Sequence, residues 1–299
     1  MKRTVGFIGL GIMGKPMGKN LLKAGFPLVV FDLNKAAIED LVKAGALPAG
    51  SSREVAERTE VIITMLPDSP EAKEVILGKD GVMEGIKLGS VVIDMSSINP
   101  LVSQEIAREL EKKGVEMLDA PVSGGEPGAI QGTLAIMVGG EEKIFKECLE
   151  IFKPMGKNIV HVGGIGAGGF TKLANQIIVA LNIAAVGEAF TLGVKAGLDP
   201  QTIYQAIRGG LAGSNVLDAK APMIFGRNFK PGFKIKLHHK DLSNALSTAK
   251  ELGVPLPLSS FVQQILVSLM TEGRGEEDHS ALATFFEKIA RVEIKSKEI

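Results

Sequence analysis

Several protein classes are excluded by what this chain has little of. One cysteine, Cys148, in 299 residues leaves no partner for an intrachain disulfide, and a reducing cytoplasm is the expected setting. No charge of one sign is in excess: 34 Lys and Arg balance 34 Asp and Glu, which gives no support for nucleic acid or an anionic membrane surface as partner. The four histidines form no H-x-x-x-H or Cys/His pattern, so no metal site is expected; His238 and His239 are adjacent, His161 and His279 isolated. G-x-S-x-G and the P-loop are missing. No targeting segment is expected, because a glycine-bearing apolar strand rather than a signal-peptide core follows Met1-Lys2-Arg3. The most apolar stretch, Leu173 to Leu192, contains Asn175, Gln176, Asn182 and Glu188, and reads as a buried helix rather than a membrane span. The remaining composition, 45% hydrophobic and 23% charged, is that of a soluble globular protein, and the length predicts two domains.

What is present concentrates at the start. Gly6-Phe7-Ile8-Gly9-Leu10-Gly11-Ile12-Met13-Gly14 ends an apolar run and opens a helical pattern, and a second apolar run, Leu28-Val29-Val30-Phe31, ends at Asp32. Gly9, Gly11 and Gly14 satisfy G-x-G-x-x-G, with Asp32 about 20 residues beyond. Gly9 permits a tight strand-to-helix turn, Gly11 lets the backbone approach a pyrophosphate, and Gly14 lets helix and strand pack closely. The helix N-terminus offers N–H groups and a positive dipole end to phosphates. An acid at Asp32 accepts ribose hydroxyls and repels a 2′-phosphate, and Leu33 beside it is no arginine. The block therefore predicts dinucleotide binding with NAD preferred and NADP possible.

The first half alternates strand and helix. Strands are expected at 4–8, 28–31, 61–66, 91–94, 116–119, 133–138 and 158–162, with helices at 14–24 and 35–44 among them. This is an α/β pattern: a Rossmann-type, doubly wound, mostly parallel sheet with helices on both faces. Beyond about residue 165 no further strand is expected, and helices are expected at 170–195, 200–208, 241–252, 257–272 and 279–292. The expected organisation is a dinucleotide-binding domain, 1–164, and an all-α domain, 165–299, joined through a long interdomain helix. That helix is apolar around most of its circumference and should be enclosed by other chain. Lys295–Ile299 should fray. A second G-x-G-x-x-G, Gly164 to Gly169, lacks a following strand with a terminal acid, since Glu188 falls inside the helix. Its glycines are read as a hinge between the domains and as room for a ligand.

Three further segments can carry chemistry. Asp119-Ala120-Pro121-Val122-Ser123-Gly124-Gly125 ends a strand in a loop whose N–H groups and hydroxyl can converge on an anion, although a plain loop reads equally well. Lys172 and Asn175, three apart, share a helix face; the lysine is either a snorkelling surface residue or a cleft residue, and the nearby Asn favours the cleft. Phe229 to Phe233, followed by His238-His239-Lys240-Asp241, offers Lys240 as a fixed charge for a carboxylate, against the alternative of a solvated charge cluster.

In this order the segments resemble the β-hydroxyacid dehydrogenase family, which includes the 3-hydroxyisobutyrate dehydrogenases. The resemblance runs over nearly the whole chain, through Gly6–Met17, Asp119–Gly125, Gly168–Gln176 and Lys240-Asp241-Leu242. Within it, the stretches 208–214, 218–223, 227–233 and 278–282 are similar to the branch that reduces tartronate semialdehyde to D-glycerate; 3-hydroxyisobutyrate or another short semialdehyde, such as succinic semialdehyde, is the alternative. The resemblance implies Lys172 as acid/base with Asn175 beside it. It implies Ser123, Gly124, Gly125, Lys240, Phe233 and Asp241 at the substrate. It implies Gly9, Gly11, Ile12, Met13, Gly14, Asp32, Met65, Leu66, Ser97 and Lys240 at the cofactor, with Ser97 standing where the family often has Thr. A small oxo- or hydroxy-acid is the implied partner, and a homodimer or homotetramer the implied assembly. A binding module that kept the fold and lost the chemistry is disfavoured by the retained lysine and Ser-Gly-Gly segment.

Overall fold

The computed structural model describes residues 2–296. In chain order the elements are β1 (Val5–Ile8), α1 (Gly14–Lys23), β2 (Leu28–Phe31), α2 (Lys35–Lys43), β3 (Leu47–Pro48), α3 (Ser52–Arg58), β4 (Val61–Thr64), α4 (Ser69–Leu77), α5 (Val82–Gly85), β5 (Val91–Asp94), α6 (Pro100–Glu111), β6 (Glu116–Asp119), β7 (Val122–Ser123), α7 (Gly125–Gln131), β8 (Leu134–Gly139), α8 (Glu142–Phe152) and β9 (Gly156–Gly163). Then come α9 (Ala167–Lys195), α10 (Pro200–Ile207), α11 (Asn215–Phe225), α12 (Ile235–Glu251), α13 (Pro257–Thr271), a 3-10 turn (His279–Leu282) and α14 (Ala283–Ala290). Two compact units divide at Lys172 and Leu173, inside α9.

In the first unit the strands form one sheet in the order β3-β2-β1-β4-β5-β6-β8-β7, with β9 on β8. The strands from β3 to β6 are parallel, β6 and β7 run antiparallel to β8, and β9 is parallel to β8. A parallel sheet must be covered on both faces, which is why its strands read as unbroken apolar runs. Successive residues serve opposite faces: Phe7, Ile63 and Ile93 join the core with Met17 and Phe152, whereas Ile8, Ile62 and Val92 join the one with Val55 and Ile106. Strand order reverses at β1 and β4, and ligands of such sheets bind beyond the carboxyl ends at that point.

The second unit is helical. One cluster joins Ile183, Leu242, Leu266 and Phe286, another Phe190, Leu217 and Ile224. The sequence reading missed α11, because Pro222 lies inside it; Ser214 caps the helix by accepting from the Leu217 N–H at 3.0 Å. It also missed β3 and β7, two residues each, and it started α12 too late, at Asp241 rather than Ile235.

Two expectations are corrected. The long helix is not enclosed by its own chain: Ile178 and Leu192 on α9 are 59% and 74% exposed. By length and composition α9 could cross a membrane, and 39% of its most apolar window is buried. The fraying expected from Lys295 does not begin there, since Ile294 is fully buried and Ser296 N–H donates to the Phe225 carbonyl at 3.2 Å. The rest of that segment, 297–299, lies outside the described residues.

Candidate active site

The loop after β1 is built by glycines that the fold itself demands, and by one that it does not. Gly9 has φ +93°, and a Cβ there would stand 2.3 Å from the Met65 carbonyl oxygen. A Cβ on Gly14 would stand 1.9 Å from the Gly9 oxygen. A Cβ on Gly11 would meet nothing within 4 Å, so no packing within the protein requires that glycine. Open space over Gly11, beside an α1 N-terminus with no side-chain cap, fits an approaching phosphate pair. Asp32 ties the loop to β2: Oδ2 accepts from Leu10 N–H at 2.5 Å and Oδ1 from Asn34 N–H at 2.7 Å. A cleft of about 620 Å³ runs beside it, lined by Gly11, Ile12, Lys15, Asn34, Ala37 and Glu126 among others. Met13 sits at the N-cap of α1 and is partly buried against the core.

Next along the sheet, Met65, Leu66 and Ser97 stand at the carboxyl ends of β4 and β5 and are half-buried. Residues outside the expected set hold them. Asp94 Oδ1 accepts from Thr64 Oγ1 at 2.8 Å and from Ser96 N–H at 3.2 Å, and Ser96 Oγ accepts from Leu66 N–H at 2.8 Å. The expected Ser-Gly-Gly loop is in part regular structure: Ser123 ends β7, and Gly124 and Gly125, at φ +136° and +61°, turn the chain into α7.

The second glycine pattern has a further task that its sequence did not announce. It seats a carboxylate of the chain itself. Asp119, at the end of β6 and 2% exposed, accepts from Gly166 N–H on Oδ1 and from Gly169 N–H on Oδ2, each at 2.7 Å. Burial pushes this carboxyl up to about 7, against the pull of the two N–H bonds, with Asp94 on the neighbouring strand adding to the rise. Lys172 follows one helical turn after Gly169 and is 7% exposed.

In the second unit, Asn175, Lys240 and Asp241 meet through Gln176, which the expected set omitted. Asn175 Nδ2 donates to Gln176 Oε1 at 2.8 Å, Gln176 Nε2 donates to Asp241 Oδ2, and Lys240 Nζ stands 3.1 Å from Asp241 Oδ1. Asp241 is 3% exposed, so its carboxylate braces Lys240 and Gln176. Phe233 packs edge-on against His238 and His279, with centroids 5.8 and 5.3 Å away. His238 Nε2 lies 3.2 Å from the Gln176 carbonyl and must donate to it; its Nδ1 then accepts from His279 Nδ1, 2.8 Å away. Burial holds the His279 imidazole well below its ordinary pKa, as that neutral pairing requires. Burial opposes ionisation of Asp278, yet Lys220 at 3.0 Å and the N–H groups of Phe233 and Ser280 hold its carboxyl below the usual range. Strand-end acids were a readable signal for Asp94 and Asp119. Nothing in the sequence pattern pairs His238 with His279.

The comparisons with known proteins agree with this architecture. Residues 4–163 match the NAD binding domain of 6-phosphogluconate dehydrogenase, and residues 166–286 match the NAD-binding domain of NADP-dependent 3-hydroxyisobutyrate dehydrogenase. The 2-hydroxy-3-oxopropionate reductase of Escherichia coli (strain K12) is 45% identical over 96% of this chain and 98% of its own length. The 2-(hydroxymethyl)glutarate dehydrogenase of Eubacterium barkeri is 40% identical over 97% of each chain. A solved structure of Mycobacterium tuberculosis 3-hydroxyisobutyrate dehydrogenase with L-serine superposes with a TM-score of 0.89 at 32% identity, over 95% of this chain and 99% of that one. The chain belongs to the β-hydroxyacid dehydrogenase family and is an NAD(P)-dependent oxidoreductase.

Proposed function

We propose that this enzyme reduces tartronate semialdehyde (2-hydroxy-3-oxopropanoate) to D-glycerate, with NADH preferred and Lys172 as the proton donor. The observation that carries the chemistry is a lysine held at 7% exposure just inside α9. The nicotinamide dinucleotide, when bound, supplies the hydride. Lys172 gives its proton to the aldehyde oxygen as that oxygen gains charge, so the C=O bond becomes C–H and O–H and the amine is left neutral. In the reverse direction the neutral amine takes the alcohol proton. Ser123 with the N–H groups of Gly124 and Gly125 receives the substrate carboxylate, Lys240 adds charge, Phe233 and Asp241 complete that side, and Asn175 orients Lys172 or the substrate. Gly9, Gly11, Ile12, Met13 and Gly14 receive the pyrophosphate, Asp32 the ribose, and Met65, Leu66 and Ser97 the nicotinamide half.

The 45% identity with the Escherichia coli reductase, spread over 96% of the chain, supports tartronate semialdehyde as substrate. The alternative, 3-hydroxyisobutyrate or another short semialdehyde, rests on the 0.89 TM-score with the mycobacterial dehydrogenase. A panel of purified substrates against NADH and NADPH, compared by kcat/KM, decides both substrate and cofactor. Lys172→Ala should retain NADH binding and lose about 100- to 10,000-fold in kcat; turnover at the wild-type rate would remove Lys172 from the role. A second copy of the chain is the proposed cover for Ile178 and Leu192 on α9, as homodimer or homotetramer, which sedimentation reads directly. A reducing cytoplasm suits the one cysteine, Cys148, whose thiol burial pushes up to about 11.

A further inference from the structure

Asp119 is a buried acid for which the proposed chemistry has no use. It is nevertheless firmly seated, with a backbone N–H on each oxygen, and the surrounding glycines are arranged for it. A Cβ on Gly139 would lie 2.4 Å from its Oδ1, and a Cβ on Gly168 would lie 2.3 Å from its carbonyl oxygen and 2.4 Å from that of Met137. Removing side chains at both positions lets the start of α9 close over the end of β6 and β8. There the helix would otherwise leave its first N–H groups without acceptors. Asp119 answers one of them, Gly169, and with its other oxygen the N–H of Gly166 just before the helix. A carboxylate with separate oxygens on two N–H groups fixes both the height and the rotation of the first turn, which a single bond does not.

We infer that Asp119 is a positioning residue for the reaction: by clamping Gly166 and Gly169 it sets the rotation of α9 and so the placement of the Lys172 side chain, one turn further on. Lys172 and Gly169 are three residues apart on one helix, so a rotation of the first turn moves the lysine with it. The strand beneath is itself braced, because Asp94, the register partner of Asp119, is tied to Thr64 and Ser96. The clamp thus runs from the sheet to the helix through one side chain. This inference rests on the proposed role of Lys172.

The test is a pair of substitutions read alone and together, by steady-state oxidation of NADH with tartronate semialdehyde and by titration of NADH binding. Asp119→Asn keeps the shape and leaves one N–H facing an NH₂ donor. It should lower kcat about 100-fold, as a misplacement near 1 Å does. The KM and Kd for NADH should stay within about twofold, because the first glycine loop is untouched. Exchange of the Gly166 and Gly169 amides should quicken. Introduced into Lys172→Ala, the same substitution should add less than about twofold to the loss, since residues acting as one unit are not additive. If Asp119→Asn does not accumulate folded, Asp119→Ser, smaller and still an acceptor for one N–H, takes its place with the same readings expected. A kcat within about twofold of wild type, or an equal fall with and without Lys172, overturns the inference. Lys172→Ala at full turnover would instead sink the assignment of Lys172 and the inference with it, whereas an inactive Lys172→Ala beside a fully active Asp119→Asn sinks the inference alone.

Discussion

The first unit holds two G-x-G-x-x-G segments, Gly9 to Gly14 and Gly164 to Gly169, each between a strand and a helix, and they differ at every glycine. The first glycine of the leading pattern is locked by φ +93° and the Met65 carbonyl, whereas Gly164 would accept a Cβ with nothing within 4 Å. The middle one, Gly11, faces open space, whereas Gly166 has φ +91° and lies against the Gln104 side chain. The last one, Gly14, packs on the backbone of its own loop, and Gly169 packs on Pro100. Behind these differences is one shared property. Both loops leave N–H groups at a helix start for an acceptor. In the second the acceptor is the Asp119 carboxyl, a side chain of the fold; in the first the space is left for something from outside. The pattern specifies a helix start that wants an acceptor, and the neighbouring strand end decides whether the chain supplies it.

The sharpest way to break this comparison is at Gly14. Gly14→Ala puts a Cβ on the Gly9 oxygen and should abolish NADH binding while costing about 3 kcal/mol in urea unfolding. A variant that binds normally would mean that the loop has another conformation. A subtler pair is Gly11→Ala with Gly164→Ala. Neither meets an atom of the protein within 4 Å, so both should unfold within about 0.5 kcal/mol of wild type. Only Gly11→Ala should weaken NADH, by about 100-fold in Kd by fluorescence titration, because close approach of the pyrophosphate needs that glycine. Equal affinities in the two variants would remove the ligand-based reason for Gly11. The smallest effect concerns pH. The Asp119 carboxyl is raised to about 7 from 3.8, so the folded chain holds a proton that the unfolded chain has lost. The associated stability is full below the lower value and disappears as pH rises through the upper one. Between about pH 5 and pH 8, wild type should therefore lose more unfolding free energy than Asp119→Asn, and parallel curves would place the titration elsewhere.

Much of this site was legible because period and punctuation are local. Buried parallel strands announce themselves as Val61-Ile62-Ile63 and Val91-Val92-Ile93, and Asp32 closes the second strand at the distance a ribose contact needs. Asp94, Ser96, Gln176 and the His238–His279 pair were not expected, since each matters through a partner 30 to 65 residues distant rather than through its neighbours in sequence. The task of Gly166 and Gly169 was hidden for the same reason: Asp119 stands 47 and 50 residues before the two N–H groups it binds. Helix α9 misled in another way. Its composition is that of an enclosed helix, but composition does not say whether the cover comes from the same chain, and Ile178 and Leu192 are left exposed.

The sequence by itself determined the doubly wound sheet, the helical second unit, the dinucleotide cradle and the order of the family's segments, because these follow from residue periodicity, glycine geometry and short-range spacing. Only the tertiary structure decided what each glycine-rich helix start holds, which acids brace the strand ends, and how Lys240 and Phe233 are seated. Those outcomes depend on which strand end or helix lies across from a given residue, and chain distance carries no record of that.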